Sequence, residues 1–127
     1  MKNKALKILC IEDDKDTCEL ITFVFEQEGY KVESCTQMEC LKLIREEKFL
    51  AVILDNYFYG TTGVEICQEL RSFDKTTPVI FFSGEVRQAE IEKALEAGAN
   101  DYLIKPSGFE KLLPTTIELI EGCQTNN

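Results

Sequence analysis

Short strand-like segments alternate with amphipathic helical segments five times along this chain, and few folds accommodate such an alternation. Strands are predicted over residues 7–11, 30–35, 51–54, 78–83 and 101–104. Helices are predicted over about 15–28, 36–46 and 63–72, then around 91–95 and 109–120. Consecutive strand–helix units form a parallel sheet with right-handed crossovers and helices on both faces. The predicted fold class is therefore α/β, a doubly wound (βα)5 sheet of five parallel strands.

Local signals mark the ends of several elements. Asp14 is placed to cap the first helix, and Gly29 is placed to end it. The unbroken apolar run over 51–54 is typical of a central strand that is covered on both faces. Pro114 lies inside the last helical pattern, so we expect it to delay the start of that helix or to kink it.

Length, composition and charge indicate one globular domain. The 127 residues are 44% hydrophobic and 29% charged, which suits a single folded core. We expect one domain over residues 1–123 and a frayed polar tail over 124–127. The net charge of −9 argues against direct nucleic-acid binding, which needs clustered Lys and Arg. This charge suits a protein that binds a cation or meets a basic partner.

The cysteine pattern and the absence of histidine exclude several kinds of site. None of the six cysteines lies in a C-x-x-C pair and the chain has no histidine, which argues against zinc-ribbon, thioredoxin-like and mixed Cys/His sites. We expect most thiols to be reduced and buried in a cytoplasmic protein, with Cys123 as the exception. The sequence shows no signal peptide and no apolar stretch long enough to cross a bilayer, so membrane insertion is not expected.

Polar side chains follow four of the predicted strands. The carboxyl ends of the strands in a doubly wound sheet meet at one edge, where ligands bind. Crowded carboxylates favour a hard cation such as Mg²⁺ or Mn²⁺, and a lysine and a hydroxyl beside it favour a phosphoryl group. Asp55 ends the central strand and is best placed to attack phosphorus and form an acyl phosphate. The converging residues are Glu12, Asp13, Asp14, Asp55, Ser83 and Lys105.

Four motifs make the chain resemble the response-regulator receiver domain of two-component signalling. The motifs are ILCIEDD, VILDNYFYGTTG, VIFFSG and GANDYLIKP, in the order and spacing of that family. The resemblance covers essentially the whole chain. The resemblance implies the flavodoxin-like receiver fold with strand order 2-1-3-4-5. It also implies a signalling phosphoacceptor in a phosphorelay rather than an enzyme, with only self-phosphorylation and self-dephosphorylation chemistry.

The resemblance assigns roles at the acidic end of the site. Asp55 is the phosphoacceptor. Asp13 is expected to bind Mg²⁺ (or Mn²⁺) directly and Glu12 through water, while Asp55 and the backbone carbonyl of Tyr57 complete the metal site. Asp14 is expected to act as the helix cap instead.

The resemblance also assigns the residues that bind and sense the phosphoryl group. Ser83 is the switch hydroxyl and Lys105 the cation that pairs with the phosphoryl group, while Tyr102 swings inward as Ser83 moves. The bond between Lys105 and Pro106 is typically cis in this family. The surface formed by the fourth helix, fifth strand and fifth helix is thereby switched for partner binding.

The implied partners are proteins. The donor is a sensor histidine kinase or a histidine phosphotransfer protein, because this chain has no histidine of its own. A downstream protein target reads the switched surface, near which Arg87, Glu90 and Lys111 are expected as solvated side chains. A stand-alone receiver and a receiver segment of a longer regulator or hybrid kinase both fit the sequence.

The loop after Asp55 departs from the family pattern. Tyr59 stands where a proline is common, and the loop is unusually aromatic. Packing of Tyr57 and Phe58 over the following helix is the favoured interpretation. The alternative is a modified partner surface or restricted access of water, which would alter the lifetime of the phosphoryl group. Gly63, eight residues after Asp55, is retained.

Three other functions remain open from the residues alone. A phosphatase of the haloacid-dehalogenase type would need a second aspartate where the chain has Tyr57. A flavodoxin-like FMN binder would need a phosphate-cradling loop where the chain has the acidic EDDKD. A phosphorylation-independent interaction module on the same fold is disfavoured by the complete site but is left open by the aromatic loop.

Overall fold

A computed structural model describes residues 6–58 and 60–125, with side chains through Cys123, and centres on a five-stranded parallel sheet. The sheet strands are β1 (Ile8–Ile11), β2 (Val32–Cys35), β3 (Ala51–Leu54), β6 (Val79–Ser83) and β7 (Asp101–Ile104). Their order is β2-β1-β3-β6-β7, and every neighbouring pair is parallel. Counting only the strands of this sheet, the order reads 2-1-3-4-5. The predicted fold class and strand order are therefore confirmed.

The helices follow the predicted pattern closely. They are α1 (Lys15–Gln27), α2 (Gln37–Glu46), α3 (Gly63–Arg71), α4 (Gln88–Glu96) and α5 (Phe109–Thr125). Asp14 caps α1 as expected, because its carboxylate accepts the backbone N–H of Thr17 at 3.0 Å. Gly29, with φ of 89°, follows the end of this helix in a conformation that favours glycine.

The last helix passes through its proline. α5 begins at Phe109 and continues to Thr125 with Pro114 inside it, so the proline does not delay the helix start. Leu112 and Ile120, on either side of the proline, are almost fully buried beneath the sheet. Their burial offsets the backbone hydrogen bond that a proline removes from a helix. The frayed tail predicted over 124–127 stays a prediction, and its last two residues lie outside the described part of the chain.

A short hairpin occupies the segment that was predicted to be a loop over 56–62. β4 (Tyr57–Phe58) pairs antiparallel with β5 (Thr61–Thr62). Gly60 lies between them with φ of 91°, where a side chain would be strained. Two-residue strands show no measurable periodicity, which is why sequence patterning missed them. Tyr59, which replaces the common proline, lies outside the described residues.

The sheet separates two hydrophobic clusters. Leu9 and Ile11 of β1 pack on the face covered by α2, α3 and α4, and Ile8 and Cys10 pack on the face covered by α1 and α5. This division follows from the alternation of side chains along a strand. Because β1, β3 and β6 are buried on both faces, their sequences are apolar without a break. Their carboxyl ends thus emerge from a rigid core.

The cysteines act mainly as small hydrophobic residues. All six are free thiols; Cys10, Cys35, Cys40 and Cys67 are buried, while Cys18 and Cys123 are half-buried. Burial raises the pKa of Cys35 to about 12, which keeps that thiol protonated. Among residues 6–58 and 60–125, no helix has the length and apolar character needed to cross a membrane.

Candidate functional site

The candidate site lies at the carboxyl ends of β1, β3, β6 and β7. Ile11 of β1 is in register with Leu54 of β3, so Glu12 and Asp55, the next residues, leave the sheet at the same level. A backbone hydrogen bond of 3.1 Å from Asp55 N–H to the Ile11 carbonyl continues this pairing by one step. The parallel register therefore brings together side chains that are distant in sequence.

Three carboxylates form a cluster at this edge. Glu12, Asp13 and Asp55 each offer one oxygen, and the three oxygens lie within 4.8 Å of one another. Glu12 is only 6% exposed, whereas Asp13 faces solvent, so the cluster is open on one side. An all-oxygen set with open positions fits Mg²⁺ or Mn²⁺, which keep several waters when they bind protein. The residues present therefore fit the metal that the sequence predicts.

Lys105 crosses the site from β7 to the carboxylates. Its Nζ lies 2.7 Å from Glu12 Oε1 and 3.3 Å from Asp55 Oδ2. Burial disfavours the charge of Lys105, but its hydrogen bond to Glu12 and its attraction to Asp55 outweigh burial and raise its pKa. Burial raises the pKa of Glu12, and the hydrogen bond from Lys105 works against that rise. The peptide bond between Lys105 and Pro106 is cis, as the family resemblance implied.

Ser83 lies on β6 and Tyr102 on the neighbouring β7, and both are hydrogen-bonded to the backbone of Glu85. Ser83 is fully buried, and its Oγ accepts the backbone N–H of Glu85 at 3.2 Å. The Tyr102 hydroxyl donates to the backbone carbonyl of Glu85 at 3.0 Å. The Tyr102 ring stacks on Phe81, with centroids 5.5 Å apart and planes 9° apart. Burial raises the pKa of Tyr102, while hydrogen bonds with the Ser83 and Asn56 side chains oppose the rise.

Asn56 and Gly63 fix the backbone beside Asp55. The buried Asn56 accepts the N–H of Gly63 on its carbonyl at 2.9 Å and the N–H of Val64 on its side chain at 3.3 Å. A Cβ on Gly63 would lie 2.2 Å from the carbonyl oxygen of Asp55. The glycine therefore permits α3 to begin against the end of β3. Sequence reasoning missed Asn56, although its place directly after Asp55 was an available signal.

The Tyr57 side chain forms a further polar cluster with Glu85 and Arg87. Its hydroxyl donates to a carboxylate oxygen of Glu85, and Arg87 Nη2 donates to the Tyr57 hydroxyl at 2.9 Å. The Arg87 guanidinium also binds Glu85 through Nη2 at 2.8 Å and through Nε at 3.1 and 3.2 Å. Hydrogen bonds from Arg87, and to a smaller extent from Tyr57, hold the pKa of Glu85 far below its usual value.

This cluster corrects the expectation for Tyr57 and adds a contact to Arg87. Phe58 packs against the core as expected, but Tyr57 is 48% exposed and reaches Glu85 rather than covering the next helix. The Arg87 side chain is 70% exposed, as expected, and its guanidinium also pairs with Glu85. Sequence reasoning missed Glu85 altogether, because a glutamate in a loop carries no signal until its partners are known.

Comparison with known proteins identifies the class. Residues 8–116 match the family described as the response regulator receiver domain. The transcriptional regulatory protein HprR of Escherichia coli K12 is 36% identical over 109 residues, which are 85% of this chain and 48% of that protein. The crystal structure of a CheY-like receiver domain protein from Methanospirillum hungatei superposes with a TM-score of 0.89 at 26% identity, covering 97% of this chain and all of that one. A BeF3-activated DrrB receiver domain has a TM-score of 0.81 at 29% identity, covering 93% and 99%.

The chain belongs to the response regulator receiver family. Members of this family are signalling phosphoacceptors of two-component systems rather than enzymes in the usual sense, and they act with histidine kinases and downstream targets. The chain spans about half the length of the curated relatives it matches, or less.

Proposed function

We propose that Asp55 accepts a phosphoryl group from a phosphohistidine in a step that depends on Mg²⁺ or Mn²⁺. The supporting observation is the arrangement around its carboxylate. Oxygens of Glu12 and Asp13 lie within 4.8 Å, and the Lys105 ammonium lies 3.3 Å from Asp55 Oδ2. The Asp55 carboxylate thus lies beside acids that can bind a metal ion and beside a lysine that can pair with a phosphoryl oxygen.

The chemical step follows from these groups. A carboxylate oxygen of Asp55 forms a bond to phosphorus, and the bond from phosphorus to the donor's imidazole nitrogen breaks, leaving its electron pair on the imidazole. Lys105 is expected to balance charge on a phosphoryl oxygen, since its Nζ already lies between Glu12 and Asp55. A metal held by Glu12, Asp13, Asp55 and the Tyr57 carbonyl would supply further neutralisation of the phosphoryl oxygens.

Ser83 and Tyr102 are proposed to convert the phosphoryl group into a change of surface. The Ser83 oxygen accepts the backbone N–H of Glu85, and its single proton would turn from the Tyr102 hydroxyl to a phosphoryl oxygen. The Tyr102 hydroxyl is hydrogen-bonded to the backbone carbonyl of Glu85, so a movement of the segment after β6 would also move Tyr102 on β7. The surface of α4, β7 and α5 would thereby be biased between two states for a downstream protein target.

The proposed partners and location agree with the rest of the chain. The proposed donor is a sensor histidine kinase or a histidine phosphotransfer protein, as membership of the receiver family suggests. These 127 residues contain no histidine, so they cannot supply the phosphohistidine themselves. The net charge of −9 supports protein partners over direct nucleic-acid binding. Six free cysteines fit a reducing compartment, which supports a cytoplasmic location.

Intact-mass analysis after incubation with Mg²⁺ and acetyl phosphate tests this function. We expect one added phosphoryl group on the wild type and none on Asp55→Asn. Asp16→Asn, which alters an exposed acid on α1, is the matched control and should be phosphorylated like the wild type. A wild type that stays unmodified, and that also fails to bind beryllofluoride, would contradict the proposal.

One observation keeps the phosphorylation-independent interaction module as a second candidate. Tyr102 is held against Phe81 and Glu85 by contacts that the protein makes entirely within itself. A partner could therefore bind the α4–β7–α5 surface without chemistry at Asp55. Equal partner affinity of the wild type and Asp55→Asn after phosphorylation treatment would favour this second function.

A further inference from the structure

We propose that Tyr57, Glu85 and Arg87 form a clamp that holds Tyr102 in the position seen here, with its ring stacked on Phe81 and its hydroxyl on the Glu85 carbonyl, which we call inward. The clamp joins the hairpin after β3 to the segment after β6, and Glu85 is its positioning residue. This inference rests on the proposed role of Tyr102 as the switch residue. It adds the contacts that favour the inward Tyr102 in the unphosphorylated protein.

The first step of the argument is the strength of the clamp. Glu85 receives the Tyr57 hydroxyl and the Arg87 guanidinium, and its backbone lies only two residues from Arg87. The Glu85 side chain is 7% exposed and that of Arg87 is 70% exposed, so these charge-assisted hydrogen bonds are shielded from water on the carboxylate side only. Arg87 also donates to the Tyr57 hydroxyl at 2.9 Å, which closes the contacts into a ring of three side chains. Such a ring restrains both segments together.

The second step is the position of the two segments. Tyr57 lies two residues after Asp55, and Glu85 lies two residues after Ser83. Their strands, β3 and β6, are neighbours in the sheet. The clamp therefore bridges the carboxyl ends of the two strands that carry the acceptor and the switch hydroxyl.

The third step is the link from Glu85 to both switch residues. The N–H of Glu85 donates to Ser83 Oγ at 3.2 Å, and its carbonyl accepts the Tyr102 hydroxyl at 3.0 Å. Fixing the Glu85 side chain therefore fixes the backbone groups on which Ser83 and Tyr102 depend. Releasing the clamp should free the carbonyl to move and remove the anchor of the Tyr102 hydroxyl. The clamp thus stabilises the inward Tyr102 before any phosphoryl group arrives.

The χ1 rotamer populations of Tyr102, measured by NMR three-bond couplings on the unmodified full chain, test the clamp. We expect the inward rotamer to dominate in the wild type and to fall several-fold in ratio to the outward one in Tyr57→Phe and Arg87→Gln, since each loses a charge-assisted hydrogen bond. Beryllofluoride should restore the inward rotamer in both variants.

Two substitutions elsewhere provide matched controls. Tyr30→Phe removes the phenolic hydroxyl from a ring that packs edge-on against Phe25, and Arg45→Gln removes an arginine that pairs with Glu69. Neither should change the Tyr102 rotamers. Unchanged rotamers in both clamp variants, or an outward Tyr102 in the wild type, would overturn the inference. Because these measurements need no phosphorylation, a failure of Asp55 to accept a phosphoryl group is detected separately by mass.

Discussion

At the scale of single residues, the site depends on one position that carries no functional group. Gly63 begins α3 where the helix meets the end of β3, and the nearest neighbour of an added Cβ would be the backbone carbonyl oxygen of Asp55. Phe81, which stacks on Tyr102, would be the second neighbour at 2.8 Å. The absence of a side chain at this position thus allows the backbone of Asp55 and the Phe81 ring, on which Tyr102 stacks, to lie where they do.

Gly63→Ala should therefore destabilise the protein by about 2 kcal/mol or more, because backbone and a buried ring must both move to admit one methyl group. The free energy of unfolding in urea measures this effect. Gly122→Ala is the control: its Cβ would meet nothing within 4 Å, and alanine favours a helix, so no loss is expected. Equal stability of Gly63→Ala and the wild type would contradict the packing described for this position.

At the scale of elements, side chains in the turns decide how strands and helices follow one another. Between α3 and β6, the Asp74 carboxylate accepts the N–H groups of Thr76 and Thr77 at 3.0 Å and the Thr77 hydroxyl at 2.6 Å. Burial disfavours the ionised form, but these hydrogen bonds, with Lys48 nearby, prevail and lower the pKa of Asp74 from 3.8 to about 2. The folded state thus prefers the charged carboxylate more strongly than the unfolded chain does.

A pH dependence follows from this lowered pKa. The stabilisation by Asp74 is fully present above about pH 4 and is lost as pH falls through about 2, because the unfolded chain takes up the proton first. Asp74→Asn should be less stable than the wild type by about 2 kcal/mol at pH 7, and this difference should shrink towards pH 2. Urea titrations across this range measure it, with Glu96→Gln, an exposed acid on α4, as the control. A difference that stays constant with pH would refute the role of Asp74.

Elements with a strong period could be predicted from the sequence, and contacts between loops could not. The buried strands and the Asp14 cap follow from apolar runs and from local hydrogen bonding, so their positions could be deduced residue by residue. The acidic cluster could be predicted because parallel strands end at one edge. The contact of Tyr57 with Glu85 was not predictable, since it joins the β4–β5 hairpin to a loop residue 28 positions further along the chain. Only the folded sheet defines the relative position of these two segments.

At the scale of the whole molecule, charge and metal binding are coupled. The chain carries a net charge of −9, and three of its acids are gathered at one edge of the sheet. Like charges held together oppose folding, and a cation that binds only the folded state relieves this repulsion. Stability should therefore respond to divalent cations independently of any phosphoryl transfer.

Mg²⁺ should raise the melting temperature of the wild type, with about 1.4 kcal/mol of stabilisation at ten times its Kd. Asp13→Asn should abolish most of this shift with little change in the metal-free protein, because Asp13 is exposed. Differential scanning fluorimetry at constant ionic strength separates binding from screening, and Asp16→Asn should keep the full shift. An equal shift in Asp13→Asn would place the cation elsewhere.

The contact between Lys105 and Glu12 joins residues 93 positions apart in sequence. While the last strand is still being synthesised, the nascent chain therefore already contains Glu12 but does not yet contain the Lys105 ammonium that pairs with it. Under the proposed phosphoryl transfer, we expect a copy truncated before Lys105 to keep the acids without the ammonium and to accept no phosphate from the donor.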